Sequence, residues 1–173
     1  ENDAVFMNMP VHGFGNFQVT TSGGTSNALS LSQLYPEMGD LRDVAFDGSH
    51  LWLASFAGEI RRVDVNTGAT LNTFTLPPGG ASSGVGLHVT TAATTLATVP
   101  VPAGSLIISN WNGNPDQIFA MNPTTGVVIA ALQLQQNLDP VSVVMEASGG
   151  GRLFLLRSNP TAIVEIDRNT GAT

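Results

Sequence analysis

The sequence predicts an all-β fold built from a repeated unit of four short strands. Three observations carry this expectation. A turn motif of fixed form recurs along the chain, similar short apolar stretches flank it each time, and no segment sustains a 3.6-residue apolar period beyond two turns. The composition agrees. The 173 residues include 19 Gly and 10 Pro and are 42% apolar, which supplies many turns and a core without approaching a collagen-like or low-complexity chain.

The turn motif is Asp64-Val65-Asn66-Thr67-Gly68, repeated as Asn122-Pro123-Thr124-Thr125-Gly126 and Asp167-Arg168-Asn169-Thr170-Gly171. A fainter copy lies at Phe17 to Gly24. Asp or Asn at the first position bonds its own backbone, and Gly at the last takes the positive φ that reverses the chain.

Ahead of each turn the chain has two strand-like stretches. The first of these follows an opening strand, expected at Arg42–Asp47, Val85–Thr90 and Val141–Glu146. The runs Leu51–Ala54, Leu106–Ser109 and Leu153–Leu156 are nearly continuous in apolar character and read as strands buried on both faces. The next stretch alternates. Arg61/Val63, Phe119/Met121 and Val164/Ile166 share one face, while Arg62/Asp64, Ala120/Asn122 and Glu165/Asp167 form a less buried one. After the turn, Leu71, Phe74 and Leu76 match Ile129, Leu132 and Leu134.

Four short strands in roughly 45 residues is the signature of a β-propeller blade. The expected organisation is a partial first blade in 1–40 that starts at its second strand, near Ala4–Met9. A blade in 41–80 follows, then a blade in 81–136 with an insert at 91–104, then a blade in 137–173 that stops before its last strand. About three to three and a half blades result. Open blades leave strand edges unpaired, so the expected partners are the remaining blades of a longer chain or other copies of the chain.

The run from Arg42 to Gly68 resembles the NHL/YVTN-type propeller repeats, a group that includes virginiamycin B lyase-like and lactonase-like proteins. The resemblance extends from about Arg42 to Thr173 and rests on core and turn residues. It implies a propeller fold. In the lyase-like members it also implies His and Glu near the central channel that hold a metal ion and act as bases. His88, in an expected inner strand, is the one residue that fits such a catalytic role. No second channel His or matched Glu accompanies it. In the lactonase-like members the resemblance implies acids and Asn that ligate a divalent ion at the channel mouth. Asp43, Asp139 and Glu146 are the candidates for it, although they do not recur at one repeat position, since Asp43 aligns with Ser142.

Charge excludes more than it assigns. The basic residues are Arg42, Arg61, Arg62, Arg152, Arg157 and Arg168, with no Lys, and the net charge is −7. Such a chain lacks the basic cluster that displaces counterions from nucleic acid. Cys is absent, which removes disulfides and thiolate chemistry. No apolar run is long enough to span a bilayer as a helix. Charged residues are 11% of the chain, a composition that resembles secreted or surface proteins of bacteria. The run Asn110-Trp111-Asn112-Gly113-Asn114-Pro115-Asp116 sets oxygen-bearing side chains at alternate positions. Asn110, Asn112, Asn114 and Asp116 therefore form a candidate calcium site, although one carboxylate is few for that ion. Trp111 with Asn112 could stack on and bond a ligand. The expected function is a non-enzymatic extracellular propeller segment for binding or assembly. The alternatives are a fragment of a propeller lyase or hydrolase with a divalent channel metal, and a self-assembling extracellular fibre subunit.

Overall fold

A computed structural model describes residues 5–8, 16–19, 38, 41–76, 85–110, 116–146 and 151–173. These form fifteen strands. Strands β1 (Val5–Asn8) and β2 (Asn16–Val19) pair antiparallel, with Val5 opposite Val19. Sheet I is the meander β3 (Leu41–Phe46), β4 (His50–Ser55), β5 (Glu59–Asp64) and β6 (Thr70–Thr75). Sheet II is β7 (Val85–Val89), β10 (Leu106–Asn110), β11 (Gln117–Met121) and β12 (Val128–Gln133). A hairpin of β8 (Thr94–Leu96) and β9 (Val99–Val101) interrupts it between its first two strands. Sheet III is β13 (Pro140–Met145), β14 (Leu153–Ser158) and β15 (Thr161–Ile166).

The three turn motifs build the same structure. The side-chain oxygen of Asp64, Asn122 or Asp167 accepts the backbone N–H groups two and three residues on, at 2.8–3.1 Å. The closing glycines Gly68, Gly126 and Gly171 have φ of 70°, 71° and 73° and return an N–H to the carbonyl of the first residue. A β-carbon at those angles is strained, which favours Gly there.

Each sheet is too thin to bury its own apolar faces, and the sheets stack to do so. Sheets I and II close over Trp52, Ala54, Ile60, Leu76, Leu87, Val89, Leu106, Ile108 and Met121, with the Trp52 and Phe74 rings stacked at 6.4 Å. Sheets II and III close over a second cluster that includes Ile107, Ile118, Ala120, Leu132, Val143, Leu153 and Leu155. Leu51, Leu53 and Val63, on the opposite side of sheet I, pack with Met38.

Burial departs from expectation at two strands, for one reason. β11 is buried on both faces, Ala120 included, whereas alternation predicted a less buried side. Sheet II is flanked by sheets on both sides, so each of its faces is an interface. β14 shows the converse. It was expected to be buried throughout, yet Leu156 is exposed because no further sheet covers that face of sheet III among the described residues.

The insert at 91–104 is part of the core. Leu96 and Val101 are buried among residues of sheets II and III. Its two-residue turn holds Ala97 and Thr98 at φ of 50° and 67°, the left-handed pair that joins a tight hairpin. Arg168 clamps it. The Arg168 carbonyl accepts Ala97 N–H at 2.8 Å, and its guanidinium donates to Thr94 Oγ1 at 2.9 Å.

Candidate functional site

The inner strands β3, β7 and β13 lie side by side, and two kinds of feature emerge from that arrangement: a polar seam where the three meet, and an open apolar face on the last sheet.

Asp43 is at the seam. It is 5% exposed and occupies a repeat position held by Gly86 in β7 and Ser142 in β13. Its Oδ1 accepts Val44 N–H at 2.8 Å. Its Oδ2 accepts Leu87 N–H at 2.8 Å and the Ser142 hydroxyl at 3.2 Å. One carboxyl thus touches sheets I, II and III. Burial raises its pKa to about 6, only partly opposed by the bonds from Leu87, Val44 and Ser142. Gly86 allows the close approach. A β-carbon there would lie 2.5 Å from both Ser109 Oγ and Ser142 Cα.

His88 lies on the face of sheet II that meets sheet III, opposite Ile107 in register. It bonds the backbone of Met145, and its Nε2 is buried with no partner among the described residues. Burial lowers its pKa below the ordinary value, with the Met145 bond acting the other way. The ring is held neutral at neutral pH.

Asn110 and Asp116 mark the ends of β10 and β11. Asp116 Oδ2 accepts Leu138 N–H at 2.7 Å and Asp139 N–H at 3.0 Å, tying the start of β11 to the linker into sheet III. Burial raises its pKa, the two N–H bonds oppose that, and the charge of Asp139 adds to the rise. Asn110 is fully buried, and its amide has no partner among the described residues. Of the candidate calcium ligands, Asn112 and Asn114 lie outside the described residues, as does Trp111 of the candidate ligand site. Asp116 Oδ2 already accepts two bonds, so Asp116 Oδ1 and Asn110 Oδ1 are the oxygens left to an ion. No three His, Asp or Glu residues converge as a metal cluster among the described residues.

Asp47 organises the turn between β3 and β4. It accepts Ser49 N–H, His50 N–H and the Trp52 indole N–H at 2.9 Å. Partial burial opposes its ionisation, but those bonds outweigh it and hold the carboxyl below its ordinary range.

The open face belongs to sheet III. Val144, Leu156 and Ile163 are 52%, 37% and 75% exposed. With Ser142, Phe154 and Leu155 they line a concavity of about 480 Å³. By repeat position Val144, Phe154, Leu156 and Ile163 correspond to Ala45, Trp52, Ala54 and Ile60, which sheet II covers. No signal in the sequence distinguished this face, because the repeat reads the same in every unit. Asp43 did carry a signal: an acid between Arg42 and Val44 in an expected inner strand, at a repeat position held by Ser142 in the last unit.

No family model and no curated protein matches the chain. Solved structures do. Myxococcus xanthus glutaminyl cyclase superposes with a TM-score of 0.55 at 15% identity, over 92% of this chain and 60% of that one. The WD40 β-propeller domain of Doa1 gives 0.52 at 16% identity, over 87% and 46%. The WD40 domain of Toxoplasma gondii coronin gives 0.56 at 8% identity, over 94% and 42%. At these identities the likeness is one of fold, and the chain spans only part of each match. The chain has a β-propeller fold, with successive antiparallel sheets stacked around adjoining inner strands, and the described residues do not close a ring. No described helix is long and apolar enough to cross a membrane.

Proposed function

We propose that the chain is a segment of a non-enzymatic, extracellular β-propeller that works by binding and assembly. Its partners on this reading are further blades, from the remainder of a longer chain or from another copy. The observation that carries it is the exposed face of sheet III. Val144, Leu156 and Ile163 stand at the positions that sheets I and II bury against their successors. Exposed apolar patches of this kind mark sites of association. The acids point the same way, since Asp43, Asp47, Asp64, Asp116 and Asp167 all accept backbone N–H bonds and so serve the fold. The extracellular setting is supported by the absence of Lys, the 11% of charged residues and the abundance of Thr, Ser, Asn and Gly. Kinship with NHL/YVTN-type repeats is supported by the Asx-Thr-Gly turns.

The test is the mass of the source protein, denatured and native. A denatured mass well above 18.0 kDa, or a native mass several times the denatured one, supports the reading. A protein of 18.0 kDa in both conditions refutes it.

A further inference from the structure

We infer that Asp43 is a proton-responsive tie across the three inner strands, so that the cohesion of sheets I, II and III depends on pH. The geometry is specific. A single carboxyl reaches Leu87 N–H, 44 positions along the chain, and the Ser142 hydroxyl, 99 positions along it, while also holding Val44 N–H. The site is almost fully buried and packed backbone to backbone at Gly86.

The charged and titratable groups on the surrounding strands do not neutralise it. Arg42, next to it on β3, places its guanidinium over the Phe56 ring at 4.6 Å. His50 on β4 bonds Asp47. His88 on β7 bonds the backbone of Met145. β13 contributes only the Ser142 hydroxyl, and Asp139 and Glu146 flank that strand. The environment of Asp43 is set by burial, two backbone N–H groups and Ser142.

Both protonation states keep contact with sheet III. The carboxylate accepts a charge-assisted bond from the Ser142 hydroxyl, and the neutral acid can donate a weaker one to Ser142 Oγ once that hydroxyl turns, so Ser142 favours the charged form. What changes is the cost of a charge with no counter-ion. The folded pKa is raised above the unfolded value, so the folded state holds the proton more tightly. The stabilisation is fully present below about pH 4 and is lost as pH rises to about 6, the value reached in the fold. His88 acts in the opposite sense in an overlapping window, because its folded pKa is lowered and acid weakens its contribution. The parent's own pH profile is therefore a difference between two effects, and a variant must separate them.

The experiment compares urea unfolding of the full chain with that of Asp43→Asn from pH 4 to 7.5. It is paired with amide NMR titration of the parent. Relative to Asp43→Asn, the parent's folding constant should fall by about 100-fold across that range, and the Leu87 and Val44 amide protons should titrate with a midpoint near 6. Ser142→Ala removes one bond to the carboxylate and should move that midpoint higher. Parallel pH profiles for parent and Asp43→Asn, or a Leu87 midpoint near 4, overturn the inference. An unchanged midpoint in Ser142→Ala removes sheet III from the tie. Should Asp43→Asn fail to fold, the amide titrations of parent and Ser142→Ala decide.

Discussion

Gly86→Ala is the sharpest test of how closely the inner strands meet. The new β-carbon would lie 2.5 Å from Ser109 Oγ, 2.5 Å from Ser142 Cα and 2.6 Å from the Ser142 carbonyl carbon. The Ser109 hydroxyl can rotate away, at the loss of the bond it accepts from Gly86 N–H at 3.1 Å. The Ser142 backbone cannot. Ordinary carbon contacts lie near ~3.5–4 Å, so sheets II and III must part by about 1 Å. Overpacking of this kind costs about 1–3 kcal/mol, and the lost hydrogen bond adds about 1 kcal/mol. Against this, the alanine restricts the unfolded chain and returns about 0.4–1 kcal/mol. The net loss is about 1–4 kcal/mol. For a chain of this size that lowers the melting temperature by roughly 2–15 °C. Urea denaturation with an unchanged slope would read it directly. Adding Ser109→Ala should restore little, because the backbone of Ser142 remains in the way. A Gly86→Ala variant within about 0.5 kcal/mol of the parent, or full rescue by Ser109→Ala, would refute the close packing of β7 on β13.

Other outcomes follow from the same structure. Leu96→Ala empties a fully buried position in the inserted hairpin and should cost about 2–5 kcal/mol by chemical denaturation, far more than a surface loop would. Val144→Asp with Ile163→Asp, both exposed, should leave stability within about 0.5 kcal/mol. The pair should also abolish association through sheet III, read by sedimentation across a concentration series. His88→Gln should remove a loss of stability that the parent suffers as pH falls below about 6.5, because the parent's imidazole must charge in a buried site. Unfolding curves at pH 7.5 and pH 5 would show the two proteins converging at the higher value and separating at the lower.

Local chemistry was the legible part of this molecule. Asp64, Asn122 and Asp167 announce their turns because the bonds they make reach only two or three residues ahead. The runs at Leu51 and Leu106 announce strands covered on both sides for the same kind of reason: burial acts on each residue in place. Contacts between units were not legible. Asp43 meets Ser142 and Arg168 meets Thr94 across 99 and 74 positions, and no periodicity links such pairs. The insert at 91–104 was legible as an insert but not as a hairpin, because its turn uses Ala97 and Thr98, where a glycine or asparagine would have signalled the positive φ. His88 stood out as a possible channel residue, and the fold places it on a face between sheets, an assignment that depends on which neighbour covers that face. Alternation within a strand separates its two faces but does not say which faces are covered, so it assigns Ala120 to a less buried side that the fold covers completely.

The linker between sheets II and III is fastened at several points. Asp116 holds Leu138 and Asp139 N–H, Leu134 N–H bonds the Asp116 carbonyl, Gln135 N–H bonds the Gly171 carbonyl, and the Gln136 amide reaches Thr173. Apolar contact alone would let one sheet slide or rock over the next. Directional bonds through the backbone fix the wedge angle between them, much as a keyed masonry joint fixes an arch. In a structure that grows by repeating such a joint, the number of units needed to come full circle is decided locally, at each joint, by the few residues that set its angle.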